Sequence, residues 1–189
     1  MKKYLVITLL ILAVACENKE HEENEAVTVA SLKEKIKVMD DSLAVLTTDF
    51  LDGKIEKIDR LVYHEAINRS IDFYNHFPEH EYAPFALEKA SSMYMALKIE
   101  EKAADWRDTI LLNYPDFDHT LDLLELQKAY YDDYDNYNKE KVEEVIQIML
   151  EHDNLNEEKR ADLEFRLEHI DKSYKELIEM QMSNPEKEM

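Results

Sequence analysis

An all-α fold, made of stacked two-helix units behind an N-terminal amphipathic helix, is what these 189 residues predict. Three observations lead there. The chain holds one glycine, Gly53, where average usage would supply roughly thirteen. Tight hairpins, phosphate-cradling loops and dinucleotide turns need residues without a Cβ, so the P-loop and Rossmann classes are excluded and sheet proteins fit poorly. Apolar residues recur at the three-and-four spacing of helical stripes along most of the chain. Finally, the punctuation repeats: FYNHFPEHEYAPFALEKA at 73–90 is followed by LLNYPDFDHTLDLLELQKA at 111–129, with Pro78 and Pro115 37 residues apart.

The first element is MKKYLVITLLILAVACENKE. Lys2 and Lys3 precede an apolar run, Tyr4 to Ala15, whose length of about 18 Å as a helix falls short of the roughly 30 Å hydrocarbon core. Residues 1–15 therefore read as an export signal. Cys16, the only cysteine, follows directly, and LAVAC resembles a bacterial lipobox, with Ala13 where leucine is commonest and Leu12 one place earlier. The plain alternative is a secreted protein with a stray cysteine. The resemblance implies a thioether-linked lipid on Cys16 and an address at the cell envelope, anchored at the outer membrane on its periplasmic or surface face. Several acyl chains, at about 0.8 kcal/mol per buried methylene, hold where one would not. A lipidated Cys16 leaves no thiol for a disulfide, a nucleophile or a metal site. Without Lys2 and Lys3, 21 basic residues of the 23 would face 43 acidic ones, a net charge of −22. That charge opposes nucleic-acid phosphates and anionic headgroups, and it favours a solvated surface or a basic partner.

Residues 16–28 comprise Cys16 and an acidic stretch, ENKEHEENEAVT, with little to bury, so a disordered tether is expected. A flexible chain of that length spans roughly 20 Å. Over 29–52 the apolar residues Val29, Leu32, Ile36, Met39, Leu43, Leu46 and Phe50 alternate gaps of three and four, a two-in-seven seam. The seam serves either as a cap folded onto the helices behind it or, through residues 29–50, as a coiled-coil contact in a homo-oligomer. LDGK at 51–54 ends it.

Helical repeats are expected over 55–180. The patterns predict helices at 59–77, at 83–97 with a stripe of Ala86, Leu87, Ala90, Met93, Tyr94 and Leu97, and at 101–114 with Ala103, Trp106, Ile110 and Leu111. A fourth is expected at 121–134, with Thr120 as N-cap and Leu124, Ala129 and Tyr130 facing inward. Val142, Val145, Ile146, Met149 and Leu150 mark a fifth. A sixth is expected from 156 to 180 through Leu163, Phe165, Leu167, Ile170, Leu177 and Ile178, leaving 181–189 as a disordered tail.

Pro78 and Pro115 are followed, after another 37 residues, by His152 in a third turn without proline. Ala66 and Ala103 each lie twelve residues before their proline, and Tyr94 corresponds to Tyr131. A fixed period of this size marks hairpins that cannot bury both faces alone and so stack. The segments FYNHFPEHEYAPFALEKASSMY and EEKAADWRDTILLNYPDF resemble tetratricopeptide-like repeats of envelope lipoproteins, including the lipoprotein subunit of the outer-membrane β-barrel assembly machinery. In that family a small residue (here Ala66, Ala103) opens the second helix of a pair, and an aromatic-proline pair (Phe77-Pro78, Tyr114-Pro115) closes it. This chain departs in its period of 37, in lacking the family's first-helix glycine, and in placing Ser70 and Arg107 where a large apolar residue is usual. The resemblance implies a right-handed α-solenoid that binds another protein or peptide in the envelope on the concave face of its first helices, with no catalysis.

Tyr130, Tyr131, Tyr134 and Tyr137 crowd one helix end, with Trp106 and Arg107 in the helix before. Such side chains are over-represented at binding hot spots, and the six form the candidate partner surface. The competing reading makes half of these rings core. Metal chemistry finds little support. His76 and His80 flank Pro78 and cannot share a helical face, HExxH does not occur, and Asp132, Asp133, Asp135, Asn136 and Asn138 lack the turn glycine and twelfth-position Glu of a calcium loop. No cofactor is expected beyond the lipid, and no serine lies in a nucleophile elbow.

Overall fold

The computed structural model describes residues 27–133, 135–153 and 155–183, with side chains as far as Met180. The signal segment, Cys16 and the tether to residue 26 lie outside the described residues, as do Tyr134 and residues 184–189. What is described is all-helical: α1 (Val29–Leu51), α2 (Arg60–His76), α3 (Ala83–Ala96), α4 (Glu100–Asn113), α5 (Thr120–Tyr131), α6 (Lys139–Leu150), α7 (Glu157–Glu168) and α8 (Tyr174–Ser183). From α1 to α7 the most extensive packing is between helices adjacent in sequence.

Local chemistry sets the ends. Thr28 and Ser31 form a capping box at the start of α1, and Asp59, Asn138 and Asn156 cap α2, α6 and α7 through side-chain oxygens. At the end of α1, Gly53 has φ of +70°, and the Lys54 N–H donates to Asp49 O at 2.8 Å while the Gly53 N–H donates to Phe50 O at 3.1 Å. This is a Schellman stop, and the chain's one glycine sits at the position that needs a left-handed residue. Helix α3 ends the same way, with Ile99 N–H on Tyr94 O and Lys98 N–H on Met95 O, both at 2.9 Å. There Lys98 bears the left-handed φ of 61°. A Cβ in that conformation costs about 1 kcal/mol or more, so Lys98→Gly is expected to stabilise the chain by about 1 kcal/mol, read as a higher urea midpoint at unchanged slope.

The 37-residue period reappears in the backbone. Helices α2, α4 and α6 end at His76, Asn113 and Leu150, and α3, α5 and α7 begin at Ala83, Thr120 and Glu157, each 37 residues after the last. Pro78 and Pro115 push the residue before them out of the helical region. Phe77 and Tyr114 accordingly share one conformation, φ/ψ of −137°/58° and −135°/64°. The turns then match bond for bond, His80 to Phe77 and Ala83 to His80 in one, Phe117 to Tyr114 and Thr120 to Phe117 in the next. Tyr114 also donates its hydroxyl to Pro78 O at 2.6 Å, tying one turn to the next. Its phenol, pushed up to about 12 chiefly by burial, stays protonated for that bond.

Burial follows the period for two units only. Ala66 and Ala103, Ser70 and Arg107, Phe73 and Ile110, Leu87 and Leu124 are buried pairs 37 apart, whereas their counterparts Glu140, Glu144, Gln147 and Ala161 are exposed. The third unit buries Val142, Val145, Ile146 and Met149 instead. Three clusters make up the core. Leu32 and Ile36 of α1 meet Phe73, Ala83 and Ala86; Leu87, Ile110, Phe117 and Leu123 follow; Leu124 and the apolar face of α6 meet Leu155 and Leu163. Of the α1 seam, Leu32, Ile36 and Met39 are buried within the chain, Leu43 and Leu46 are half-buried, and Phe50 is exposed.

Several elements differ from the sequence reading. Helix α5 stops at Tyr131, because Asp132 turns inward to an arginine of α7. Thr120 is not the cap of α5: His119 holds that position, and the Thr120 hydroxyl donates back to Phe117 O at 2.6 Å. Ala129 is exposed while Gln127 is fully buried, and Phe165 and Ile178 face outward. The expected helix over 156–180 is two helices, and α8 continues through 181–183 of the expected tail. Arg166 takes the carbonyls of His169 at 2.9 Å and Lys172 at 3.0 Å, which ends α7. Ser173 and Glu176 then build a fresh capping box, Ser173 N–H to Glu176 Oε2 at 2.7 Å and Glu176 N–H to Ser173 Oγ at 3.4 Å.

Candidate functional site

The five described side chains of the aromatic candidate surface do not form one surface. Arg107 lies in the core at 2% exposure, its Nε donating to Gln127 Oε1 at 2.7 Å and its Nη1 to Ser91 Oγ at 3.5 Å. Gln127 donates in turn to Asp108 at 2.7 Å, which also accepts the Tyr131 hydroxyl at 2.7 Å. The positive charge is thus linked to a carboxylate through an amide. Burial still pulls the guanidinium below its ordinary value, and burial with the Asp108 bond pushes the Tyr131 phenol up. Trp106 packs edge-on against Tyr74, 6.1 Å between ring centroids, and joins α4 to α2. Tyr137 donates its hydroxyl to Ile170 O and stacks under Arg166. Among the five described, Tyr130 alone, half-buried beside Tyr131, approaches the role proposed for the set. Tyr134 lies outside the described residues.

Nor is the acidic turn after α5 fully solvated. Asp132 is 6% exposed and accepts Arg166 Nε at 2.9 Å and Nη2 at 2.7 Å in a two-pronged pair. His76 and His80 do not converge either, since His76 Nδ1 lies 3.2 Å from Asp72 and His80 Nδ1 accepts the Tyr82 N–H at 3.0 Å. Among the described residues no group of three or more His, Cys, Asp or Glu side chains is placed to hold a metal ion.

A different face is continuous. Odd-numbered helices are tied each to the next odd-numbered one by side chains: Lys89 of α3 pairs with Asp40 of α1, Glu88 of α3 with His119 at the head of α5, and Glu125 of α5 with Lys159 of α7. Glu88 and Glu125 are themselves 37 residues apart. Along this face runs a row of rings set by the repeated turns. Tyr82 and Phe85 lie 6.1 Å apart, Phe85 and Phe117 meet edge-on at 4.8 Å, and His119 is 5.6 Å from Phe85. Helix α3 supplies Phe85 from its first turn, and the Pro115 turn presents Phe117 and His119 against it.

Two grooves open on the row. One, of about 520 Å³, is floored by Tyr82, Phe85, Tyr114 and Phe117 and rimmed by Glu81, Asp116 and Asp118, with Lys33 entering from α1. The other, about 450 Å³, runs between α1 and α3 past Leu43 and Met93 and shares Tyr82 and Phe85. Lys33 Nζ stands 4.6 Å above the centre of the Tyr82 ring, a cation–π contact. The sequence signal for this face was the doubled aromatic-proline-acid punctuation itself, which also has a structural explanation and so did not stand out as a site.

The Glu88–His119 contact, 2.9 Å, makes the face sensitive to pH. Its hydrogen bond with Glu88, then the charges of Glu88, Asp122 and Asp118, raise the His119 imidazole above its ordinary value. A raised folded-state value means the contribution is complete below the unfolded value of about 6.5 and is lost as pH rises through the folded one. Thermal melts of Glu88→Gln should therefore fall below wild type at mildly acidic pH and converge with it at alkaline pH. A gap unchanged across the range would remove the pair from the account. Neither a protein-family model, nor a curated protein, nor a solved structure matches the chain, so its own geometry carries the functional reading.

Proposed function

We propose that this protein is a lipid-anchored α-solenoid of tetratricopeptide-like hairpins that binds an extended segment of another envelope protein along its odd-numbered helices, without catalysis. Cys16 is the anchor in this reading, and residues 16–28 are the tether. The observation that carries the binding role is the odd-helix face, where Lys89–Asp40, Glu88–His119 and Glu125–Lys159 join successive units beside a groove lined with aromatic rings. Recurrent helix ends at 76, 113 and 150 support stacking of equivalent hairpins. Grooves of this size and lining are where ligands are most often found.

Photo-cross-linking in intact cells tests it. A cross-linker in place of Phe85, 37% exposed on the groove, should attach one defined envelope protein, whereas one in place of Leu112, 81% exposed on α4, should not. Equal labelling from both positions, or none from Phe85, refutes the assignment. Radiolabelled palmitate on the wild-type chain and its absence from Cys16→Ala tests the anchor. A second reading, an envelope oligomer joined through residues 29–50 with the repeats as spacers, draws on the exposed Val45 and Phe50 of α1. Sedimentation of residues 27–189 as a concentration-independent monomer would exclude it.

A further inference from the structure

The chemistry of the groove narrows what it would accept. Glu81, Asp116 and Asp118 stand exposed on its rim, and none pairs with a cation among the described residues. The nearby acids on the same face behave differently, since Asp40, Glu88 and Glu125 each hold a partner from the next odd helix. Below the rim the lining is mainly aromatic, the rings of Tyr82, Phe85, Tyr114 and Phe117, with Asn113 beside them. Unpaired carboxylates above aromatic faces suit a group that is cationic, planar and weakly hydrated, which describes guanidinium better than ammonium.

The molecule already places a cation there. Lys33 reaches from α1 over the Tyr82 ring and makes no ion pair with the rim acids, so the ring, not a carboxylate, is its partner. One lysine against three acids leaves the groove net negative, in a chain whose overall charge is −20. An acidic partner would meet that field with like charge, and a purely apolar segment would leave the rim acids facing its backbone without compensation.

We infer that the groove between α1, α3 and the Pro115 turn binds an arginine-bearing extended segment of a partner protein, with a guanidinium stacked on the Phe85 ring beside the Lys33–Tyr82 contact and guanidinium groups bonded to Glu81, Asp116 and Asp118. This rests on the binding role proposed above and names the chemistry of its ligand. Side-chain hydrogen bonds from guanidinium to carboxylate give direction, and the rings exclude water from one face of each bond.

Fluorescence polarisation with the full-length chain in detergent provides the test. The probe is a labelled peptide of arginines spaced by glycine and serine, compared with a twin carrying citrulline at every arginine, which keeps the shape and removes the charge. Expected is binding of the arginine peptide and a loss of about tenfold or more with citrulline. The variant E81Q/D116N/D118N should lose about tenfold or more for the arginine peptide, while E101Q/E140Q/E151Q, the same charge change around α4 and α6, should stay within about twofold. All six positions are exposed, so melts of both variants should match wild type. Equal binding of the two peptides, equal losses in the two variants, or no binding by the wild-type chain would each overturn the inference. If the Phe85 cross-linker still captures one defined envelope protein in that event, the binding role stands and only the ligand chemistry falls; if it captures none, both fall.

Discussion

Arg166→Ala is expected to destabilise the folded chain by about 3–5 kcal/mol, among the largest single effects in the molecule. Arg166 and Asp132 are 5% and 6% exposed, and the guanidinium also serves the carbonyls of His169 and Lys172 and lies over the Tyr137 ring. Burial opposes the charge on Arg166, yet Asp132 and Tyr137 outweigh it and hold the guanidinium above its ordinary value. Truncating the arginine therefore leaves the enclosed Asp132 carboxyl without its partner and removes the side-chain donor to the His169 and Lys172 carbonyls in the turn after α7. Because the pair joins the loop after α5 to the turn before α8, the loss should appear first there. Hydrogen exchange should accelerate over 132–138 and 169–176 before it does in α2 and α3. The double variant Asp132→Ala/Arg166→Ala separates the causes: it should cost less than the two single changes together, since neither charge is then left alone. Additive losses in urea unfolding would show that packing of the arginine stem, not the charge pair, is what matters.

Phe73→Ala should cost about 3–5 kcal/mol through the cavity it leaves. Its ring is fully buried where α1, α2 and the Pro78 turn meet, with Phe77, His80 and Tyr82 rings at 5.7, 5.6 and 5.1 Å. Leu32 and Ile36 of α1 lie in the same cluster. Losing the ring should therefore weaken the docking of α1 along with the general stability. Proteolysis within 29–51 should rise more steeply than cleavage in α6. Leu32→Ala, which removes contact from the α1 side alone, should loosen α1 without the same penalty on the Pro78 turn. A Phe73→Ala chain that unfolds in one step with α1 protected to the end would refute the docking account.

Much of the helical architecture was legible because its causes are local. One glycine and helical apolar periodicity imply helices, and Pro78 and Pro115 with the residues before them place two of the stops. The expected spans at 59–77, 83–97 and 101–114 lie within a residue of α2, α3 and α4 at each end. Where sequence reading missed, a distant partner was at work. Tyr131 ends α5 because Asp132 is drawn to an arginine 34 residues further on. Gln127 is core and Ala129 exposed because Arg107, one repeat after the buried Ser70, needs an acceptor inside. The break before α8 was half legible, since Ser173 and Glu176 have capping-box spacing, but the capture of the His169 and Lys172 carbonyls by Arg166 was not. The binding face divides in the same way. Aromatic residues at 130–137 and at 106 were visible as a cluster in the chain, yet the fold sends Trp106 to α2 and Tyr137 to α7, and encloses Arg107.

Composition and periodicity, acting over a few turns of chain, are enough to settle that this protein is helical and where its first four described helices, α1 to α4, begin and end. Which charged groups lie inside, and which rings line an open groove, depended on contacts between residues tens of positions apart. Burial makes a polar group choose its partner from whatever the packing brings near, and spacing along the chain does not encode that neighbour.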